Sequence, residues 1–280
     1  MPAVRSLVAC LACALTASVH AAIDDLTAWD LYTDSSGATP TQLDAMTGSS
    51  AANLAQLNFI DDVDQNAGFD VGFSSVNANT VAGSTSGYYF DASADFTIAI
   101  EFELTLTSPD GFVGIGFGIG EDRAGVNSAG VAFGVGTAGI SIGSFGAAAT
   151  NQDSAITKLL SPAVSPTDTY AGSLSVAYNA TTGDITVGAA AASGSSTPLA
   201  ATGTATFTAA ELPDWAGDGL VASFFLRSDD PSIFANWTGE TAEADFFNFT
   251  VVQGSATQVP EPASLALLGL GLGLISCRHR

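Results

Sequence analysis

The run Phe96-Thr97-Ile98-Ala99-Ile100-Glu101-Phe102-Glu103-Leu104-Thr105-Leu106 alternates without a break: every even position is apolar, and the odd positions are Thr, Ala or Glu. Wound as a helix, this pattern would scatter the apolar side chains around the axis; extended, it puts them all on one face. A strand of this length with one apolar face needs a second layer to cover it. The rhythm recurs in Phe112–Ile119, where glycine fills the second face, in Val131–Val135 and in Gly139–Phe145. Ser173–Tyr178 and Asp184–Val187 flank Asn179-Ala180-Thr181-Thr182-Gly183, a five-residue connection with a glycine that reads as a hairpin. Leu220–Leu226 and Phe246–Val252 complete the set.

Helical signals are few: single turns are expected within Thr41–Leu57 and Ala209–Trp215. Thirty glycines and a low content of Lys, Glu and Arg count against a helical bundle. Ala189–Thr204, rich in Ala, Ser, Gly and Thr, reads as either a loop or an edge hairpin. With no repeat of fixed period and no shift of composition, one all-β antiparallel sandwich over residues 22–253 is the economical reading.

The two ends differ from this middle. Arg5, the apolar stretch Leu7–Leu15 and the small residues around Val19-His20-Ala21 have the three parts of a secretory signal, a short apolar helix over residues 1–21 with cleavage expected between Ala21 and Ala22. At the other end, within residues 254–280, Val259-Pro260-Glu261-Pro262 precedes an apolar run over 263–277 and then Arg278-His279-Arg280. Fifteen residues of helix span about 22 Å, short of the ~30 Å hydrocarbon core, which makes a marginal transmembrane helix with its arginines on the cytoplasmic side.

Val259, Pro260, Glu261 and Pro262, then Leu265, Leu267, Leu268, Gly269 and Leu270 and the basic end at Arg278 and Arg280, resemble the PEP-CTERM sorting signal of exported Gram-negative proteins. The resemblance implies export by the Sec machinery and a precursor held in the inner membrane. It also implies processing by an exosortase, a membrane-embedded cysteine protease, and delivery to the surface or matrix of an exopolysaccharide-producing cell.

The ends also carry every cysteine and histidine: Cys10, Cys13, Cys277, His20 and His279. The segment 22–259 therefore offers no Ser-His-Asp triad, no thiol nucleophile, no ordinary zinc site and no disulfide. It carries 27 acidic residues against three basic ones, Arg123, Lys158 and Arg227, a net charge of −24. Nucleic acid is excluded as a partner, since phosphate binding needs cations to replace counterions. The remaining oxygen donors fit calcium or glycan hydroxyls.

Ala99–Glu103, Val113–Phe117, Leu174–Val187 and Leu212-Pro213-Asp214-Trp215 resemble strands and turns of the concanavalin A-like lectin and glucanase superfamily. That resemblance implies a jelly roll. It also implies, for Glu101, Glu103 and Asp110, the strand and following loop where legume lectins gather calcium; the histidine those lectins also use is absent here. Glu101 and Glu103, two positions apart on one strand face, read as a solvated polar face, a metal or glycan site, or a glycosidase carboxylate pair whose third acid is missing. Asp61–Gly68 fails the EF-hand spacing and reads as an acidic turn, as do Asp229-Asp230-Pro231 and Glu240–Asp245. Gly114, Gly116, Gly118 and Gly120 lack the lysine and helix start of a phosphate loop. Trp29, Trp215 and Trp237 are core or rim residues, or platforms for sugar rings.

The expectation is an exported, non-catalytic structural or adhesive module that contacts glycan; the rival is a carbohydrate-active hydrolase of the glucanase type. The segment 22–259 should give a β-dominated circular dichroism spectrum and the same melting temperature with and without reductant. A mainly helical spectrum would overturn the sandwich.

Overall fold

The computed structural model describes residues 23–33, 46–48, 51–57, 69–106, 113–123, 127–136, 139–147, 158–159, 169–191, 202–212, 219–228 and 241–259. The signal segment, Ala21 and Ala22, Asp61–Gly68, Asp110, Trp215, Trp237, Asp229-Asp230-Pro231 and everything from Pro260 onward lie outside them. Among the described residues no helix is long and apolar enough to cross a membrane.

Sixteen strands are described: β1 Asp30–Thr33, β2 Met46–Gly48, β3 Ala51–Leu57, β4 Phe69–Ser74, β5 Tyr88–Asp91, β6 Phe96–Leu106, β7 Val113–Gly120 and β8 Ser128–Gly136. They continue as β9 Gly139–Ala147, β10 Lys158–Leu159, β11 Thr169–Asn179, β12 Asp184–Ala191, β13 Gly203–Phe207, β14 Gly219–Ser228, β15 Thr241–Gln253 and β16 Ala256–Gln258. They form two antiparallel sheets. One runs β1-β4-β14-β7-β8-β9-β10, with β5 on β14 and β16 on β5; the other runs β13-β12-β11-β6-β15-β3-β2. Neighbours such as β4/β14, β11/β6 and β6/β15 are distant in sequence, as in a jelly roll rather than a meander.

The even-numbered apolar residues of β6 face inward: Phe96, Ile98, Ile100, Phe102 and Leu104 are buried. The facing sheet presents Phe73, Phe224, Phe117 and Val131 along one rung. Phe224 and Phe246 meet across the gap with ring centroids 4.6 Å apart. Trp29 closes this cluster, 5.2 Å from Phe224 and 5.0 Å from Phe249. A single 3-10 turn, Leu26–Ala28, capped by the Asp25 carboxylate accepting from Thr27 N, delivers the indole, whose Nε1 donates to Ile23 O at 2.8 Å. Trp29 is thus core rather than a sugar platform.

β15 departs from simple alternation. Its register with β6 slips between Phe247 and Thr250, and Asn248 takes φ +53°. This β-bulge inserts a residue, so Phe246 and Phe249, three apart, both face the core. Asparagine tolerates the left-handed region better than most side chains.

Several sequence expectations need correction. Thr41–Leu57 carries no described helical turn; Ala51–Leu57 is strand, because pairing with β15 outweighs the helix propensity of its alanines and leucines. Of Glu240–Asp245, read as a solvated turn, Thr241–Asp245 is instead the start of β15, and Glu240 lies outside the described residues. Ala189–Thr204 is an edge hairpin at its described ends, with β13 paired to β12. The sandwich does not end at residue 253: after a turn at Gly254, φ +79°, β16 pairs with β5. The hairpin at Asn179–Gly183 forms as read, with Gly183 at φ +73° and Asn179 Oδ1 accepting from Thr181 N and Thr182 N.

Phe224→Ala should lower unfolding stability by about 3–5 kcal/mol, the cost of a buried aromatic truncation whose neighbours cannot collapse into the space. Urea unfolding with an unchanged slope measures it.

Candidate functional site

Two outward faces carry the residues of interest. On the first, β6 and β15 present the acids. Glu101 stands opposite Phe247 and Ser173, and Glu103 opposite Asp245 and Ala171. Both point away from the core, by the parity that buries Ile100, Phe102 and Leu104. The bulge determines what becomes of Glu101. Asn248 Nδ2 donates to Glu101 Oε2 at 2.6 Å, so this carboxylate is bound to the residue that re-aims β15. Glu103 is exposed and shares its rung with Asp245, a like-charge pair on adjacent strands.

The structure therefore sets Glu101 and Glu103 on one face as read, adds Asp245, and places Asp110 outside the described residues. Of the calcium set read from the sequence, Glu101 and Glu103 are described, and Glu101 is engaged through Oε2 by the Asn248 amide. Among the described residues no group of three or more acids, histidines or cysteines is arranged to hold a metal.

The second face is the outside of the sheet centred on β14 and β7. Phe225 lies there, on the opposite side from Phe224, with its ring over Gly116; a Cβ at Gly116 would run into that ring. Gly116, Gly118 and Gly120 are buried strand residues opposite Phe225, Ser223 and Val221. The alternating glycines of β7 are therefore a side-chain-free floor that lets an aromatic ring lie flat on a sheet. Alternation of Gly with large apolar residues was the available signal; the identity of the covering ring was not.

At one end of this face the chain leaving β7 crosses to β1. Arg123 Nη1 pairs with Asp30 Oδ2 at 2.5 Å, and Arg123 N donates to Asn79 O at 3.0 Å. Asn79 Nδ2 in turn donates to Asp122 Oδ2 at 3.3 Å. Both partners of the ion pair are partly exposed, so it is worth at most ~1 kcal/mol. Its importance is geometric, tying the β7–β8 connection to β1. Beneath, Ser74 and Ser75 are buried; Ser75 Oγ accepts from Ala222 N at 3.1 Å. Nothing in the sequence pattern around Arg123, one of three cations in the segment 22–259, points to this role.

Residues 258–280 match the family described as the PEP-CTERM protein-sorting motif. The chain carries that motif, which marks it as an exported protein, transiently membrane-anchored and sorted by an exosortase. No curated protein is similar to the chain in sequence. Among solved structures, an alginate lyase from Klebsiella pneumoniae superposes with TM-score 0.51 at 10% identity, over 84% of this chain and 99% of the lyase. An alginate lyase from Pseudomonas aeruginosa gives 0.46 at 12%, over 82% and 100%. Peanut lectin gives 0.42 at 15%, over 81% and 93%. The Klebsiella likeness agrees with the two-sheet antiparallel topology in making this domain a jelly roll, and identity this low speaks to fold alone.

Glu103→Gln should stabilise the fold at low salt by about 0.2–1 kcal/mol, toward the lower end because the side chain is exposed. The gain should vanish at high ionic strength, as chemical unfolding at two salt concentrations would reveal. A melting temperature raised by calcium beyond equal-strength sodium chloride, and no longer so in Glu103→Gln, would instead put a cation on this rung.

Proposed function

We propose that the chain is an exported, non-catalytic module of the cell surface or extracellular matrix, which contacts neutral glycan through the face bearing Phe225. The observation that carries this reading is the pairing of a sorted tail with a domain whose conspicuous acid pair is poorly suited to acid–base work. Glycoside hydrolysis needs one carboxyl held protonated and a second across the scissile bond. Here Glu101 is already engaged by the Asn248 amide, and Glu103 is an exposed acid beside Asp245. With no His or Cys in 22–259, neither an imidazole base nor a thiolate nucleophile can take over that work.

The net charge of −24 on the segment 22–259 selects among glycans. A polyuronate such as the substrate named for the alginate lyases would be repelled unless divalent cations bridged the two polyanions. Neutral sugar rings escape this penalty, and their C–H faces stack on aromatic rings; the half-buried Phe225 ring on the outer side of β14 is the candidate contact. Export through a Sec-type signal at residues 1–21 and release into the exopolysaccharide of a Gram-negative cell complete the reading. The bound partners during transit are the Sec machinery and the exosortase.

A glycan array probed with the folded domain should show retention on neutral polysaccharides, and on uronates only with calcium. Phe225→Ala should abolish neutral-glycan retention while shifting the melting temperature by only a few degrees. Reducing ends released from β-glucans by the purified domain would favour the hydrolase instead. Extracellular material should have an intact mass lacking Cys277; a mass retaining Arg280 would remove the sorting step.

A further inference from the structure

The sorting motif begins inside the fold. The matched region starts at Gln258, yet Gln258 is the last residue of β16, paired with Tyr88 of β5. The next residue, Val259, is 2% exposed and packs with Val76 and Val221, flanked by Val81 and Tyr89. Its N–H donates to Gly87 O at 2.9 Å. Pro260-Glu261-Pro262 follows at once, with no spacer between sandwich and motif.

The receiving side is firmly built. Gly87 takes φ +109°, and a Cβ there would strike Ser75 O, so the carbonyl is presented by a backbone few residues but glycine can adopt. Tyr88 N donates to Ser75 O at 2.7 Å, and Val76 bridges to Gly87. Asn77 braces the loop, its Oδ1 accepting from Thr85 N and Ser86 N and its Nδ2 donating to Thr85 Oγ1. Val221 belongs to β14, a central strand, so the valine pocket is continuous with the sheet.

A protease engages its substrate as an extended segment in its own cleft, and residues already paired in a sheet are denied to it. Cleavage of such a segment follows the population of the locally opened state when reclosing is fast. We infer that β16 and Val259 form a latch that withholds the start of the sorting motif, so that exosortase processing requires this strand to peel from β5. The latch rests on the sorting reading of the tail. It would delay release of the chain until the final strand opens, and it leaves the processed end anchored in the sandwich.

Two substitutions weaken the latch without touching residues 258–280. Val76→Ala removes two buried methyl groups from the pocket, and Thr257→Pro removes an N–H from the β16–β5 ladder. The full chain and both variants are expressed in an exosortase-bearing host, and conversion of precursor is followed by pulse-chase. Hydrogen exchange of the intact precursor in detergent reports the amides of Thr257 and Val259, which by the antiparallel register face β5.

The latch predicts protected amides in the parent chain and precursor half-lives shortened about tenfold in Val76→Ala, the factor expected for two buried methyl groups. Thr257→Pro should act in the same direction. Where Thr257→Pro fails to fold, Val76→Ala alone decides. Equal half-lives, or amides that exchange freely in the parent, would overturn the latch while leaving the sorting reading standing. Conversion in none of the chains, with Arg280 retained, would remove the sorting reading and the latch with it.

Discussion

Contact between Phe224 and Phe246 across the two sheets is what the remainder of the domain depends on. Each sheet joins runs of consecutive strands to strands distant in sequence, and backbone hydrogen bonds hold strands within a sheet but nothing across the gap. No disulfide is available in 22–259 to staple the layers. The aromatic cluster of Trp29, Phe73, Phe117, Phe224, Phe246 and Phe249 supplies that cohesion through buried area and tilted or edge-on ring packing. Self-repulsion in a chain this acidic makes the cohesion more necessary.

The bulge at Asn248 links the core to the acidic face. Inserting one residue turns Phe249 inward beneath Trp29, and the same residue sends its amide to Glu101. A carboxylate that reads as a candidate for chemistry is thereby a brace for the strand that completes the core. Glu103 and Asp245, on the next rung, stand opposite one another as like charges. On the opposite sheet the division of labour is different: glycines of β7 remove side chains from the floor so that the Phe225 ring can lie against the backbone.

The C-terminal end joins the two halves of this protein's biology. A sorting signal is commonly pictured as a tail trailing from a folded domain, but here the fold claims its first residues. The turn at Gly254, the short strand β16 and the burial of Val259 make the last described strand and the first recognition element one stretch of chain.

Much of this was legible in the residues themselves. Period-two runs such as Phe96–Leu106 determine extended strands with one buried face, because alternation admits no other wrapping; the C-terminal motif marks a chain sorted by an exosortase, and the lack of His and Cys in 22–259 excludes imidazole and thiol chemistry there. What sequence could not decide were matters of partnership. Ala51–Leu57 has the composition of a helix and becomes a strand because β15 offers an edge. Phe249 would point outward by parity, and only register against β6 shows the slip that turns it in. Glu101 gains its partner 147 positions away, and Val259 its pocket from loops closed around Gly87. Periodicity is local and survives in the sequence, whereas strand pairing and burial are long-range and come into being only when the two sheets close.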